Sequence, residues 1–367
     1  MPRVTVIFGT RPEYIKLALI IRRLKAYWPD TEVVVTGQHY DYNMTSVFQE
    51  ELAIPPPEVI LNCHEQTSPR QTASILTAVA ARLEVSHPGI VVTLGDTNTT
   101  LAASLAAVQS QIPVCHIEAG CRCQDMTMPE EINRRVVDAV ASLWCVPTEA
   151  CRANLLREGA DERRISVVGY TQGEVWRSVE SSGNTDSLLS QFRLTAHCYV
   201  VMTIHRQENT DDIGRLTTII DSIERIDMPV VWFIHPRTQK RIEEFGLQPR
   251  LMRTPRLQVE QPTGYVKFMA LLSKSAVVIT DSGGVQTEAA ILGIPCVVAR
   301  EYTEQRECVE AGVATLAGAD TQAIVNSVEA AGVKAARDLK LAQVYPPKPS
   351  SELVINALKG FLGVVNT

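Results

Sequence analysis

The sequence predicts an α/β protein built from two Rossmann-like, doubly wound domains, and three observations lead there. The chain has 367 residues, more than one hydrophobic core usually spans, so two domains of ordinary size are expected. Short β-branched runs ending in Gly, Asp or His alternate with amphipathic helical stretches, the order that a parallel sheet with crossover helices requires. A polar, turn-rich segment, Ser181-Ser182-Gly183-Asn184-Thr185-Asp186-Ser187, interrupts that alternation near mid-chain. The border therefore falls near residues 170 to 188: residues 1–172 form the first domain, residues 173–349 the second, and a C-terminal helix within 350–367 joins the first.

The strands expected in the first half are Val4 to Phe8, Glu32 to Thr36, Ile90 to Leu94, Val114 to Ile117, Leu143 to Val146 and Ile165 to Val168. Those in the second are Tyr199 to Ile204, Val230 to Ile234, Leu257 to Glu260, Val277 to Thr280 and Cys296 to Val298. After the Pro-rich break Tyr345-Pro346-Pro347-Lys348-Pro349, an apolar-periodic helix from Ser350 to Leu362 offers Leu353, Ile355, Leu358 and Phe361 as a packing face.

Composition narrows the class. With 45% hydrophobic and 21% charged residues the chain reads as soluble and globular. A formal charge of −6 offers no basic footprint, so neither nucleic acid nor membrane is an expected partner, and any phosphate must be held locally. The nine cysteines are an odd number and mostly sit in apolar runs such as Pro113-Val114-Cys115, as expected of reduced core residues in a cytoplasmic protein. Cys121 and Cys123 have no second Cys or His pair at zinc spacing, so no metal is expected. The N-terminal Arg3-Val4-Thr5-Val6-Ile7-Phe8 lacks the order of a signal peptide, and no apolar run is long enough to cross a bilayer. Neither GxGxxG nor GxxxxGK occurs at a strand end, and no cofactor is expected.

In open α/β sheets ligands bind outside the carboxyl ends of the strands, so chemistry is sought just after each one. After the first strand comes Gly9-Thr10-Arg11-Pro12-Glu13-Tyr14-Ile15-Lys16, a tight turn with Pro12 suited to the first helical position and two cations nearby. It suits a diphosphate, and reads equally as a capped helix with solvated charges. Leu94-Gly95-Asp96-Thr97-Asn98 puts a carboxylate at a helix start, where an N-capping Asp is the plainer account. His116-Ile117-Glu118-Ala119-Gly120 brings a second acid to the same edge, and Met128-Pro129-Glu130-Glu131-Ile132-Asn133-Arg134 opens a helix with two more. Acids converging on one sheet edge raise one another's pKa and suit proton transfer.

In the second half, His205-Arg206 and His235-Pro236-Arg237 each follow a strand, pairing a group that titrates near neutral pH with one that matches phosphate oxygens. Thr280-Asp281-Ser282-Gly283-Gly284-Val285-Gln286-Thr287-Glu288 has the form strand, small-residue turn, helix, so its backbone N–H groups can cradle a phosphate while Glu288 accepts from ribose hydroxyls. The competing account is a tight turn that simply needs glycine.

Taken in order, Gly9-Thr10-Arg11-Pro12-Glu13, Gly37-Gln38-His39, Gly95-Asp96-Thr97, Glu118-Ala119-Gly120, Pro129-Glu130-Glu131-Ile132-Asn133-Arg134, His205-Arg206 and Thr280-Asp281-Ser282-Gly283-Gly284 resemble the non-hydrolysing UDP-N-acetylglucosamine 2-epimerase family over essentially the whole chain. The resemblance implies the glycosyltransferase-B fold, UDP held mainly by the second domain with the sugar facing the first across a closing cleft, and a homodimer. It implies reversible C2 epimerisation of UDP-GlcNAc to UDP-ManNAc, by elimination of UDP to a 2-acetamidoglucal and re-addition. It assigns catalysis to Asp96, Glu118, Glu130 and His205, and substrate binding to Arg11, Lys16, Arg134, His235, Phe268, Ser282, Gly283, Gly284 and Glu288. Many bacterial members bind a second UDP-GlcNAc as an activator; Gln38, His39 and Arg70 fit that allosteric site, with Asp41 where an amide is expected.

Departures bear on the substrate. Gly169-Tyr170-Thr171-Gln172, Glu304-Gln305-Arg306-Glu307 and Thr287 differ from the common family pattern, and Arg306 suits a more anionic sugar. A 2-epimerase of a related deoxy or uronic UDP-2-acetamido sugar, a hydrolysing epimerase releasing ManNAc and UDP, a UDP-sugar glycosyltransferase and an inactive sugar-nucleotide sensor stay open as alternatives.

Overall fold

The computed structural model describes residues 2–37, 52–180, 185–333, 345 and 348–364. The chain forms two compact units, Met1–Ser178 with Pro347–Thr367, and Val179–Pro346.

The first unit carries a parallel sheet of β1 (Val4–Phe8), β2 (Glu32–Val35), β3 (Val59–Ile60), β4 (Ile90–Leu94), β5 (Val114–Ile117), β6 (Leu143–Val146) and β7 (Ile165–Val167), in the order β3-β2-β1-β4-β5-β6-β7. Helices cover both faces of such a sheet, so its central strands are apolar throughout rather than alternating. Every residue of β1, β2, β4, β5 and β6 is buried. On one face Ile7, Val34 and Val91 pack with Ile75 and Val79 of helix Ser68–Ser86 and Ala102, Ala103 and Ala106 of helix Asn98–Gln109. The alanines let those two helices approach closely.

Helix Ser350–Leu362 packs on helix Arg11–Tyr27 and against β6 and β7, burying Val354, Ile355 and Leu358. Leu353 and Phe361, expected on that face, are only half-buried, and Val354 takes the central place. Ser351 anchors the helix start, its N–H and hydroxyl both donating to Glu174 at 2.6 and 2.7 Å.

The second unit repeats the plan with β8 (Val200–Thr203), β9 (Val230–Phe233), β10 (Leu257–Glu260), β11 (Val277–Thr280), β12 (Cys296–Val298) and β13 (Ala314–Leu316), all parallel, in the order β10-β9-β8-β11-β12-β13. Its core gathers Met202, Trp232 and Ile279 from the sheet with Leu216, Ile219 and Ile223 of helix Ile213–Arg225 and Ile324 and Val328 of helix Thr321–Val333.

The sequence does not announce the short edge strands β3 and β13, whose residues are mostly exposed and so form no buried apolar run. Among the described residues no helix is long and apolar enough to cross a membrane. In each sheet the chain order reverses once, between β1 and β4 and between β8 and β11. Ligands of such sheets bind at that reversal, so the turns after these four strands are where function is sought.

Candidate active site

In the first unit one buried carboxylate joins the two turns at the reversal. Glu13 is the third residue of helix Arg11–Tyr27, in which Pro12 is the second residue and not the first, as the sequence suggested. One Glu13 oxygen accepts from the N–H of Gly9 at 3.1 Å, the N–H of Thr10 at 2.8 Å and the Thr10 hydroxyl at 2.7 Å. The other accepts from the hydroxyls of Thr97 at 2.9 Å and Thr100 at 3.2 Å. Burial pushes the Glu13 pKa up, and those donors only partly offset it.

The turn after β4 does not use Asp96 as a cap. Thr97 is the N-cap of helix Asn98–Gln109, its hydroxyl accepting from the Thr100 N–H. Asp96 is thereby left half-exposed, with Arg134 Nη2 2.5 Å from its Oδ2 and the Asn133 amide donating to its backbone oxygen at 2.9 Å. Glu118, just after β5, sits in the left-handed region at φ 64°, a strained place for a residue with a side chain. Lys16 Nζ donates to Glu118 Oε2 at 2.7 Å, and Oε1, also buried, has no hydrogen-bond partner among the described residues. Burial works against the Lys16 ammonium, but the charges of Glu118 and then Asp96 outweigh it and raise the Lys16 pKa. Two of the acids expected at this edge thus each carry a cation of their own, Lys16 on Glu118 and Arg134 on Asp96.

Glu130 and Glu131 part company in helix Pro129–Val140. Glu130 is half-buried. Glu131 is fully buried and accepts from the Cys123 N–H at 2.9 Å, Arg134 at 3.3 Å and Arg135 at 3.0 Å. Burial raises the Glu131 pKa, but these donors prevail and hold it below the usual range. Glu131 therefore fixes Arg134, and through it Asp96.

In the second unit the bridging carboxylate is Asp281, fully buried after β11. It accepts from the N–H of His205 at 3.0 Å, the N–H of Arg206 at 2.9 Å and the Asn209 amide at 3.0 Å, and His205 Nδ1 lies 3.1 Å away. Burial would raise the Asp281 pKa, yet His205, Asn209 and Arg206 together hold it below the usual range. The His235 ring lies 5.6 Å from that of His205 and caps helix Pro236–Glu244, its Nδ1 accepting from the Arg237 N–H at 3.2 Å. Burial, then the neighbouring His205 and Arg237, push the His235 pKa down.

Ser282 is the N-cap of helix Gly283–Leu292, whose first residues are the expected glycines. A Cβ on Gly283 would stand 2.2 Å from Glu304 Oε1, so a larger residue there would displace the end of that side chain. Glu304 is itself held by Arg300 at 2.9 Å and Arg206 at 3.4 Å. Glu288 is half-buried one turn further on, and its charge adds to burial in pushing Tyr265 well above the usual phenol range. Phe268, half-buried in helix Tyr265–Ser273, meets Phe233 edge-on at 5.5 Å between ring centres.

The family model for UDP-N-acetylglucosamine 2-epimerase matches residues 22–359. This chain belongs to the UDP-N-acetylglucosamine 2-epimerase family. It is 39% identical to the UDP-N-acetylglucosamine 2-epimerase of Methanocaldococcus jannaschii over 335 residues, 89% of this chain and 91% of that protein. It is 37% identical to the UDP-2,3-diacetamido-2,3-dideoxy-D-glucuronate 2-epimerase of Pseudomonas aeruginosa, over 92% of this chain and 94% of that one. The crystal structure of the Methanocaldococcus jannaschii UDP-GlcNAc 2-epimerase in complex with UDP-GlcNAc and UDP superposes with a TM-score of 0.89 at 38% identity, covering 98% of this chain and 99% of that one.

Within this epimerase fold, the first unit brings Lys16 to Glu118 and Arg134 to Asp96, and the second brings His205 near His235. Arg11 is half-buried at the start of its helix, and Arg70 is exposed in the first turn of helix Ser68–Ser86. Gln38 and His39 lie outside the described residues. Sequence reasoning gives no role to Glu13, Glu131 or Asp281 beyond their motifs, because acids at helix starts and strand ends ordinarily face water.

Proposed function

We propose that this epimerase-family enzyme interconverts UDP-GlcNAc and UDP-ManNAc. A carboxylate of the set Asp96, Glu118 and Glu130 takes the C2 proton as the C1–O bond breaks and UDP departs, giving a 2-acetamidoglucal; UDP returns to C1 as C2 is protonated on its other face. The observation that carries the reading is Glu118: a strained backbone at φ 64° and a buried oxygen with no partner among the described residues mark a group poised for something other than stability.

The second unit supplies the nucleotide site. Backbone N–H groups of the Ser282, Gly283 and Gly284 turn receive the diphosphate, Glu288 accepts from the ribose, Phe268 stacks on uracil, and His205 and His235 face the departing phosphate. In the first unit Arg11, Lys16 and Arg134 balance the charges of substrate and acids. We extend the same reading to a cytoplasmic homodimer.

Proton NMR of UDP-GlcNAc incubated with the enzyme alone tests the activity. UDP-ManNAc accumulating to equilibrium is expected; free ManNAc with UDP would mean hydrolysis, and no change without an added acceptor would point to a transferase. One observation favours a second substrate: Arg306 is exposed at the start of helix Arg306–Glu310, where a uronic carboxylate would find a cation. A higher kcat/KM for a UDP-diacetamido-uronate than for UDP-GlcNAc would decide for it.

A further inference from the structure

We propose that His116 and Asp138 form a buried clamp that positions the Asp96 and Glu118 turns, an inference that rests on the reaction proposed above. His116 lies within β5 and is 0% exposed. Its Nδ1 is 2.6 Å from Asp138 Oδ1 and its Nε2 is 2.8 Å from the backbone oxygen of Gly95, the residue before Asp96. The second Asp138 oxygen accepts from the N–H of Gly120, two residues after Glu118, at 2.9 Å, and from Arg122 at 2.8 Å. One imidazole and one carboxylate therefore touch both turns from within the unit.

The chemistry of the contacts fixes the protons. Burial would raise the Asp138 pKa, but the charges and hydrogen bonds of His116, then Arg122 and the Gly120 N–H, hold it below the usual range. An ionised Asp138 can only accept, and so can a backbone carbonyl, so each of the two contacts needs an N–H. A ring with a single proton satisfies one of them and leaves the other as two facing lone pairs. Both ring nitrogens of His116 are therefore placed as N–H donors, one toward Asp138 and one toward the Gly95 carbonyl.

Both turns need holding. Gly95 and Gly120 adopt φ 77° and 76°, and Glu118 between the two contact points adopts 64°. A Cβ added to Gly95 would lie 3.8 Å from Glu118 Oε2, so the two turns are neighbours and a shift of one moves the other's acid. Trp144 Nε1 donates to the Asp138 backbone oxygen at 3.0 Å and fixes the helix that carries the carboxylate. Neither side chain reaches solvent to meet substrate, which makes them positioning residues.

Two measurements test the clamp. Nitrogen-15 spectra of the wild-type enzyme at neutral pH should show both ring nitrogens of His116 protonated, the ring signals assigned by through-bond correlation to the His116 backbone; one bare nitrogen would overturn the clamp, whether or not any variant folds. Folded His116→Gln keeps one donor, and its kcat should fall on the order of 10²-fold, as misplaced reacting groups do, with UDP affinity and KM within about twofold of wild type. A folded variant with wild-type kcat would also overturn it. If the wild-type enzyme itself produces no UDP-ManNAc, the functional reading fails instead, and the nitrogen spectra still judge the clamp.

Discussion

In the first unit the carboxylate that ties the two reversal turns comes from the turn after β1; in the second it comes from the turn after β11. Glu13 accepts from three hydroxyls and two backbone N–H groups, Asp281 from nitrogen donors alone. Hydroxyls rotate and can accept as readily as donate, so the Glu13 lattice adapts to a changed partner. Backbone N–H groups cannot, so the Asp281 lattice dictates what faces it, including the proton on His205 Nδ1. The same strand order thus supports two kinds of brace: one that joins loops, and one that also sets the chemistry of a neighbouring histidine.

The largest effects are expected in the second unit. His205→Ala should lower kcat on the order of 10²-fold or more, as loss of a donor to a developing anion does, while UDP affinity stays within several-fold. Asp281→Asn places an amide against Nδ1 and reverses the ring's tautomer, and should cost a similar factor. Because both act through one ring, the double variant should be no slower than His205→Ala alone, measured by steady-state turnover. Additive losses would separate Asp281 from His205 and undo its special role.

A smaller effect separates binding from chemistry inside the same unit. Phe268→Ala should weaken UDP binding by roughly 1–3 kcal/mol, as lost base stacking does elsewhere, with kcat nearly unchanged, since uracil is held alike before and after bond cleavage. Titration calorimetry with UDP reads the first and saturating turnover the second.

The smallest effect belongs to Glu13. Glu13→Gln retains an acceptor for the Gly9 and Thr10 N–H groups and a donor for the threonines, so it should change stability by less than about 1 kcal/mol. The two carboxylates also predict opposite pH slopes. The raised Glu13 pKa means folding takes up a proton, so its contribution falls as pH rises from the unfolded value through the folded one. The lowered Asp281 pKa means its contribution is full above the unfolded value and is lost as pH falls through the folded one. The urea midpoint of Glu13→Gln should change relative to wild type as pH rises above the ordinary glutamate value of 4.5, and that of Asp281→Asn as pH falls below the ordinary aspartate value of 3.8. Curves parallel to wild type in both windows would erase the difference between the braces.

These braces mark the limit of what the sequence makes legible. The strands of both sheets other than the exposed edge strands β3 and β13 were legible because burial on two faces leaves apolar runs such as Val4–Phe8 and Val277–Thr280. The family signature was legible because its motifs stand at strand ends, in order. Glu13, Glu131 and Asp138 were not, since an acid early in a helix or within it reads as solvated until the fold shows it buried. Thr97 displaced Asp96 as the cap because either side chain can fill that place, and only the backbone decides. His116 did leave a signal: a histidine inside a strand otherwise apolar must find partners for both nitrogens.

In the proposed reaction C2 loses and regains its proton while UDP is detached, and turnover in deuterated water reads that exchange. Starting from protiated UDP-GlcNAc, the account predicts one deuterium at C2 of the UDP-ManNAc formed, and Glu118→Gln should slow that incorporation by about 10²–10⁴-fold, the range for a lost general acid or base. Full retention of protium at C2 in the product would contradict it.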